Sequence, residues 1–181
     1  MPVNVKAMIA DSFVQMSKEK DIDKITVKDL VERCNISRQS FYYHFQDLLE
    51  VIEWSVEQAF QRLSERSLEM EDSGAVLDEF MTAADEADAL MQKLLHSQKR
   101  EQIEQILAKA VRAYLQEQMQ RKNLKTDIPY EDMEMALSFY TYGIVGLMIE
   151  RCGKKRTDRK RVTQQMRRLL TAHVREQTET E

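Results

Sequence analysis

TVKDLVERCNISRQSFYYHF, residues 26–45, holds two short helices and the turn between them. Thr26 precedes Val27, Leu30, Val31 and Cys34 at helical spacing, and Asp29 stands three residues after it. That is the arrangement in which a hydroxyl and a carboxylate satisfy orphan backbone N–H groups at a helix start. Asn35 falls where this helix must stop. Asn tolerates positive φ better than most residues with a side chain, so a tight turn is expected there. Ser37 is placed to cap the next helix, which carries Phe41 and Phe45 inward at a spacing of four.

Leu30, Val31, Cys34, Ile36, Phe41 and Phe45 make a small apolar core that locks the two helices at a fixed angle. A helix-turn-helix needs this, because its second helix must enter a major groove roughly 12 Å wide while the first braces it. The open face of the second helix carries Arg38 and Gln39, whose geometry suits paired contacts to guanine and adenine edges, and Ser40, which can serve either. Tyr42, Tyr43 and His44 follow with hydroxyl and imidazole groups suited to phosphate oxygens. Thr26 sits at a helix N terminus that can meet another phosphate. The candidate DNA-binding set is Thr26, Ser37, Arg38, Gln39, Ser40, Tyr42, Tyr43 and His44.

Working outward, Val5, Met8, Ile9, Phe13 and Met16 form one stripe of a first helix, with Asn4 as its cap and an end near Lys18 to Asp21. Asp47 is placed to cap a fourth helix through Leu48, Val51, Ile52, Val56, Phe60 and Leu63, ending before a break at Asp72, Ser73 and Gly74. Helical patterning resumes at Val76, restarts after Ser97, and resumes again after Pro129, which suits the opening of a helix from Tyr130 to about Cys152. A last stripe runs through Val162, Met166, Leu169, Leu170 and His173. The expected fold is all-α: a helix-turn-helix domain (1–47), a connecting helix (48–72) and a larger helical regulatory and dimerisation bundle (73–181). The composition agrees, with only 4 Gly and 2 Pro in 181 residues.

The net charge of −4 carries no global basic signature, so DNA binding has to be local. Residues 1–50 hold seven Lys or Arg against eight Asp or Glu. The expected arrangement turns Lys6, Lys24, Lys28 and Arg38 toward DNA and Asp11, Asp21 and Glu50 away. Cys34 and Cys152 are far apart, and no secretory leader precedes the first helix, which points to a reducing cytoplasm. The longest nearly apolar stretch, Ala136 to Ile149, is shorter than the roughly 20 residues a bilayer requires. His44, His96 and His173 are dispersed, without zinc-ligand spacing, and no nucleophile elbow or phosphate loop occurs. No metal, no cofactor and no enzymatic activity are expected.

Val5 to Trp54, and Thr26 to Phe45 above all, resembles the N-terminal domain of TetR-type (TetR/AcrR) transcriptional regulators. The resemblance implies that Arg38, Gln39, Ser40 and Tyr42 meet bases or neighbouring sugar and phosphate, while Thr26, Tyr43 and His44 meet the backbone. Asn35 replaces the family's usual turn Gly, and Leu48 stands where the family often carries a phosphate-binding Lys. The resemblance also implies a homodimer formed by the last two helices on a roughly palindromic operator of double-stranded DNA, with repression relieved by an effector as the usual pattern.

The residues after the break bear on that expectation. From Tyr130 to Cys152 the chain is apolar on two stripes, one through Met133, Leu137, Tyr140, Ile144 and Leu147, the other through Met135, Phe139, Tyr142, Val145 and Ile149. A helix apolar all round sits in a core or at an interface, and Gly143 and Gly146 would admit a close neighbour. The expected dimer surface is Tyr140, Ile144, Leu147 and Met148 with Val162, Met166, Leu169, Leu170 and His173. Eight of the 11 Met lie from Met70 onward. Phe80, Met91, Tyr114, Phe139 and Tyr142 are the candidates for an adaptable pocket for a small apolar effector. The alternative is a TetR-like interaction regulator or co-activator whose C-terminal domain takes a partner protein. The run Lys154, Lys155, Arg156, Arg159, Lys160 and Arg161 reads as a solvated loop and helix start.

Overall fold

The computed structural model describes residues 4–68, 70, 72–121 and 129–154, and singly 161, 162, 164, 165 and 168. In order come α1 (Val5–Glu19), a 3₁₀ turn (Ile22–Lys24), α2 (Val27–Cys34), α3 (Arg38–His44) and α4 (Leu48–Arg66), then α5 (Ser73–Glu86), α6 (Asp88–Leu95), α7 (Arg100–Arg121) and α8 (Tyr130–Arg151). No strand occurs among the described residues, and the fold is all-α.

The helix boundaries follow from side chains that satisfy orphan backbone groups. Asn4 accepts from the N–H of Ala7 at the start of α1, Ser37 from Ser40 at α3, and Asp72 from Ala75 at α5. Asp47 accepts from the N–H of Glu50 at 2.9 Å, as the first turn of α4 requires. Asp72 thus opens α5, and Ser73 and Gly74, expected in the break, belong to that helix. Their propensity for turns is outweighed by the Asp72 cap. Pro129 precedes α8, where its missing N–H leaves no bond unmade.

The chain divides into two compact units, one combining residues up to Phe60 with Leu90–Ala110, the other combining Gln61–Ala89 with the residues from Val111 onward. In the first, Ile9, Phe13, Leu30, Phe41, Phe45, Val51 and Ile52 pack as a core with Leu94, Leu95, Ile103 and Leu107, all closed to solvent. At roughly 1.5–3 kcal/mol per buried large apolar side chain, this core is the main term holding the short α2 and α3; isolated helices of that length do not persist in water. Two polar ties add to it. The Lys93 ammonium donates to the Ser17 carbonyl near the end of α1, and the Asp23 carboxylate accepts from the Gln98 N–H at 3.1 and 3.2 Å.

In the second unit, Leu63, Phe80, Met81, Val111, Tyr114, Leu137, Ile144 and Val145 form the core. Ser67 Oγ lies 3.2 Å from the Tyr114 hydroxyl, and Ser64 Oγ donates to Glu117 at 2.6 Å, so both of these buried serines are hydrogen-bonded. Burial pushes the Tyr114 phenol above its ordinary range. Arg112 ties α7 to α8 through Glu134 and through Ser138 Oγ at 3.1 Å.

Candidate nucleic-acid interface

The reading head is built by local rules that α2 and α3 obey closely. Thr26 Oγ1 accepts from the Asp29 N–H at 3.2 Å while Asp29 Oδ2 accepts from the Thr26 N–H at 2.8 Å, a complete reciprocal cap. Asp29 also accepts the Thr26 hydroxyl proton at 2.7 Å and pairs with Lys20 at 2.8 Å. The Lys20 ammonium, then the Thr26 hydroxyl and N–H, hold the Asp29 carboxyl down at about 2. The Thr26 hydroxyl therefore has its proton engaged inside the head, and what α2 leaves open at its N terminus is backbone N–H.

Asn35 ends α2 at φ 51° and ψ 47°, the left-handed region, and the Ile36 N–H reaches back to the Val31 carbonyl at 3.1 Å. This turn delivers Ser37 to the start of α3, where its oxygen accepts from Ser40 N–H at 3.0 Å. Phe41 is fully buried and Phe45 1% exposed, their rings 6.1 Å apart, and Phe45 meets Trp54 of α4 edge-on at 6.2 Å. Arg33 braces α2 against α1 by a two-pronged bond to Glu19 at 2.8 and 2.9 Å. That bond lowers the Glu19 pKa and raises that of Arg33.

With its inner face so anchored, α3 presents the rest. Ser37, Arg38, Gln39, Tyr42 and Tyr43 are exposed, Tyr43 at 85%, while Ser40 and His44 are half-buried. Tyr43 and His44 meet edge-on at 5.0 Å. Arg38 and Gln39 are the first two residues of α3, the end from which a recognition helix reads base edges. All eight residues of the candidate set lie on two successive helices and their caps.

The head's charges are largely paired internally. Lys20 pairs with Asp29, Lys24 with Asp21 at 3.3 Å, Lys28 with Glu32 at 3.7 Å and Arg33 with Glu19. Lys24 and Lys28, expected as open cations, each carry a carboxylate neighbour, and Asp21, expected to face away, lies beside Lys24. Spacings of three and four residues bring opposite charges together wherever an exposed helical stretch alternates them. Among the described residues, Lys6, Lys18 and Arg38 have no carboxylate partner.

The inward face of α8 draws on both stripes. Leu137, Thr141, Ile144 and Val145 face inward, whereas Met135, Phe139 and Tyr142 stand 70–72% exposed in a row with Gly143 and Gly146. A Cβ at either glycine would meet nothing within 4 Å. Ile144, expected at a dimer surface, is thus core, and Tyr140, Leu147 and Met148 are half-buried. Val162 is half-buried in a helical stretch; Met166, Leu169, Leu170 and His173 lie outside the described residues.

The five residues expected around a pocket are not brought together. Phe80 and Tyr114 stack at 5.9 Å inside the second unit, Met91 is half-buried on α6 in the first, and Phe139 and Tyr142 are at the surface. Apolar residues at helical spacing on α8 satisfied a core pattern and a surface pattern equally. The ties from Lys93 and Gln98 to the head had no sequence signal, since each joins residues about 75 apart. Among the described residues no group of side chains suits a metal ion, and no helix is long and apolar enough to cross a membrane.

A capped, core-anchored helix-turn-helix at the head of an all-α chain defines a DNA-binding regulator of the helix-turn-helix class. The sequence matches the family described as "Bacterial regulatory proteins, tetR family" over residues 13–50. It matches a TetR C-terminal family, described as "Transcriptional regulator C-terminal region", over residues 71–172. The chain belongs to the TetR family of transcriptional regulators, which are transcription factors and not enzymes. The uncharacterized HTH-type transcriptional regulator YxbF of Bacillus subtilis (strain 168) is 32% identical over 57 residues, a stretch covering 32% of this chain and only 15% of that relative. Among solved structures, the dihydroxyacetone kinase operon activator DhaS superposes with a TM-score of 0.65 at 21% identity, over 95% of this chain and 97% of its own. A tetR-family transcriptional regulator from Streptomyces coelicolor gives 0.59 at 17% identity, over 95% and 81%. Both show the shared fold.

Proposed function

We propose that this protein is a cytoplasmic, homodimeric repressor that reads a roughly palindromic operator through the N-terminal half of α3. One observation carries the reading: Arg38 and Gln39, the two side chains best shaped for paired contacts to guanine and adenine, stand exposed at the start of a helix whose opposite face is fixed by buried Phe41. Ser40 and Tyr42 extend the contact along the groove, and Ser37, Tyr43, His44 and the N terminus of α2 at Thr26 meet phosphates on either side. In this reading residues 1–47 bind DNA, 48–72 connect, and 73–181 regulate and dimerise.

The partner of the α8 face is a second copy of this chain, seated on Met135, Phe139 and Tyr142, with Gly143 and Gly146 allowing close helix approach. Two heads then meet half-sites spaced by whole turns of DNA. A small apolar effector taken up by the C-terminal half shifts the heads and lowers affinity. A second reading, in which the C-terminal half takes a partner protein and the regulator activates, draws support from Phe139 and Tyr142 being surface residues and not pocket lining.

Gel-shift on DNA selected from a random pool tests the DNA-binding reading. Arg38→Ala is expected to cost about 1–3 kcal/mol and relax base preference at one position, while Tyr43→Ala weakens binding evenly across sequences. Unaltered binding by both variants would defeat it.

A further inference from the structure

We propose that Lys6, near the start of α1, is a DNA-backbone anchor of the reading head, held in place by the ring of Phe45. The proposal rests on the DNA-binding reading above and adds to it a contact from α1. Lys6 Nζ lies 5.2 Å from the centroid of Phe45, which ends α3. A cation within about 6 Å of an aromatic face is attracted by the ring's quadrupole, and Phe45 itself is immobilised at 1% exposure in the core. The contact therefore determines where the ammonium sits: beside the C-terminal end of α3, next in sequence to His44 and the exposed Tyr43. The ring occupies one side of the ammonium, and the lysine remains half-open to solvent.

Charge sorting singles out this lysine. Lys20, Lys24, Lys28 and Arg33 are each matched by a carboxylate, leaving Lys6, Lys18 and Arg38 without one among the described residues. Arg38 opens α3 and Lys6 stands at its close, so one unmatched cation brackets each end of the reading helix. Lys18 lies twelve residues along α1 from Lys6, roughly 18 Å at 1.5 Å per residue, and bonds to Gln15. The start of α4 offers no substitute. Leu48 is buried there, and the carboxylates of Asp47 and Glu50 already accept from the N–H groups of Glu50 and Gln46. The cation for a phosphate at the far end of α3, beside Tyr43 and His44, thus comes from α1.

The test is fluorescence anisotropy of the full chain on DNA selected from a random pool, titrated across roughly 50–200 mM salt. Each lost phosphate contact is expected to reduce the log–log salt slope by about 0.9 and, near ~0.1 M salt, to lower affinity about eightfold per head. Lys6→Gln should show both losses, Lys6→Arg neither, and Lys18→Gln, a loss of equal charge in the same helix, neither. Equal losses in Lys6→Gln and Lys18→Gln, no loss in Lys6→Gln, or an Arg variant as weak as the Gln variant would each overturn the role of Lys6. Absence of specific binding by the unmodified chain would instead remove the DNA-binding reading, and the Lys6 proposal with it.

Discussion

Asn35 concentrates the geometry of the head in one residue, and exchanging it separates backbone strain from contact loss. Its φ of 51° and ψ of 47° lie in the left-handed region, and the Ile36 N–H reaches the Val31 carbonyl only because the chain turns there. An ordinary residue with a Cβ bears roughly 1–2 kcal/mol in this conformation. Asn already bears part of it, so Asn35→Ala is expected to cost about 1 kcal/mol. Asn35→Gly removes the steric cost but widens the unfolded ensemble by a similar amount, and its net effect should stay within about 0.5 kcal/mol of the natural chain. Trp54, the single tryptophan, meets Phe45 edge-on and reports the head directly by fluorescence. At a urea dependence of about 2 kcal/mol per molar, Asn35→Ala should lower the midpoint by ~0.5 M and Asn35→Gly hardly move it. An Ala variant as stable as the natural chain, or a Gly variant weaker than the Ala variant, would refute the reasoning that the turn is held by positive φ.

Other outcomes follow from the same geometry. Phe139→Glu, on the exposed face of α8, should convert the protein to a monomer in sedimentation and remove the dependence of its unfolding midpoint on protein concentration, whereas Ile144→Ala, in the core, should keep the dimer and cost about 2–5 kcal/mol; a monomer from Ile144→Ala and a dimer from Phe139→Glu would put the dimer surface on the face of Ile144. Asp29 is held at about 2, below its unfolded value, so its contribution to stability is complete above roughly pH 4 and disappears as pH falls through 2. NMR titration of its carboxyl carbon showing a midpoint near the ordinary Asp value would contradict the cap geometry. Removing one end of the Asp23 tie, with Asp23→Ala, should leave the turn before α7 without an acceptor for the Gln98 N–H and raise hydrogen exchange there. Unchanged exchange at Gln98 would show that the tie does not persist in solution.

The head was almost fully legible because its signals are local. Thr26 and Asp29, Asn35, Ser37 and Asp47 each determine a boundary through atoms within four residues of themselves. The exposed face of α3 follows from Phe41 and Phe45 once the helix is recognised. The second half resisted for the opposite reason. On α8 two stripes are equally apolar, and which residues turn inward depends on partners such as Arg112 on α7, whose bonds to Glu134 and Ser138 no local pattern announces. Sequence charge counts hid the pairing in the head, since Lys24 and Lys28 read as open cations until Asp21 and Glu32 are seen beside them.

The central claim is that α3 reads DNA through Arg38 and Gln39. Sequencing of DNA selected from a random pool by the natural chain and by Arg38→Ala tests it most directly. The account predicts a two-fold symmetric site for the natural chain, and for Arg38→Ala the same site with preference lost at one symmetric pair of positions, guanine in the natural selection. Selection of no shared site by the natural chain, or of an identical site by both, would contradict it.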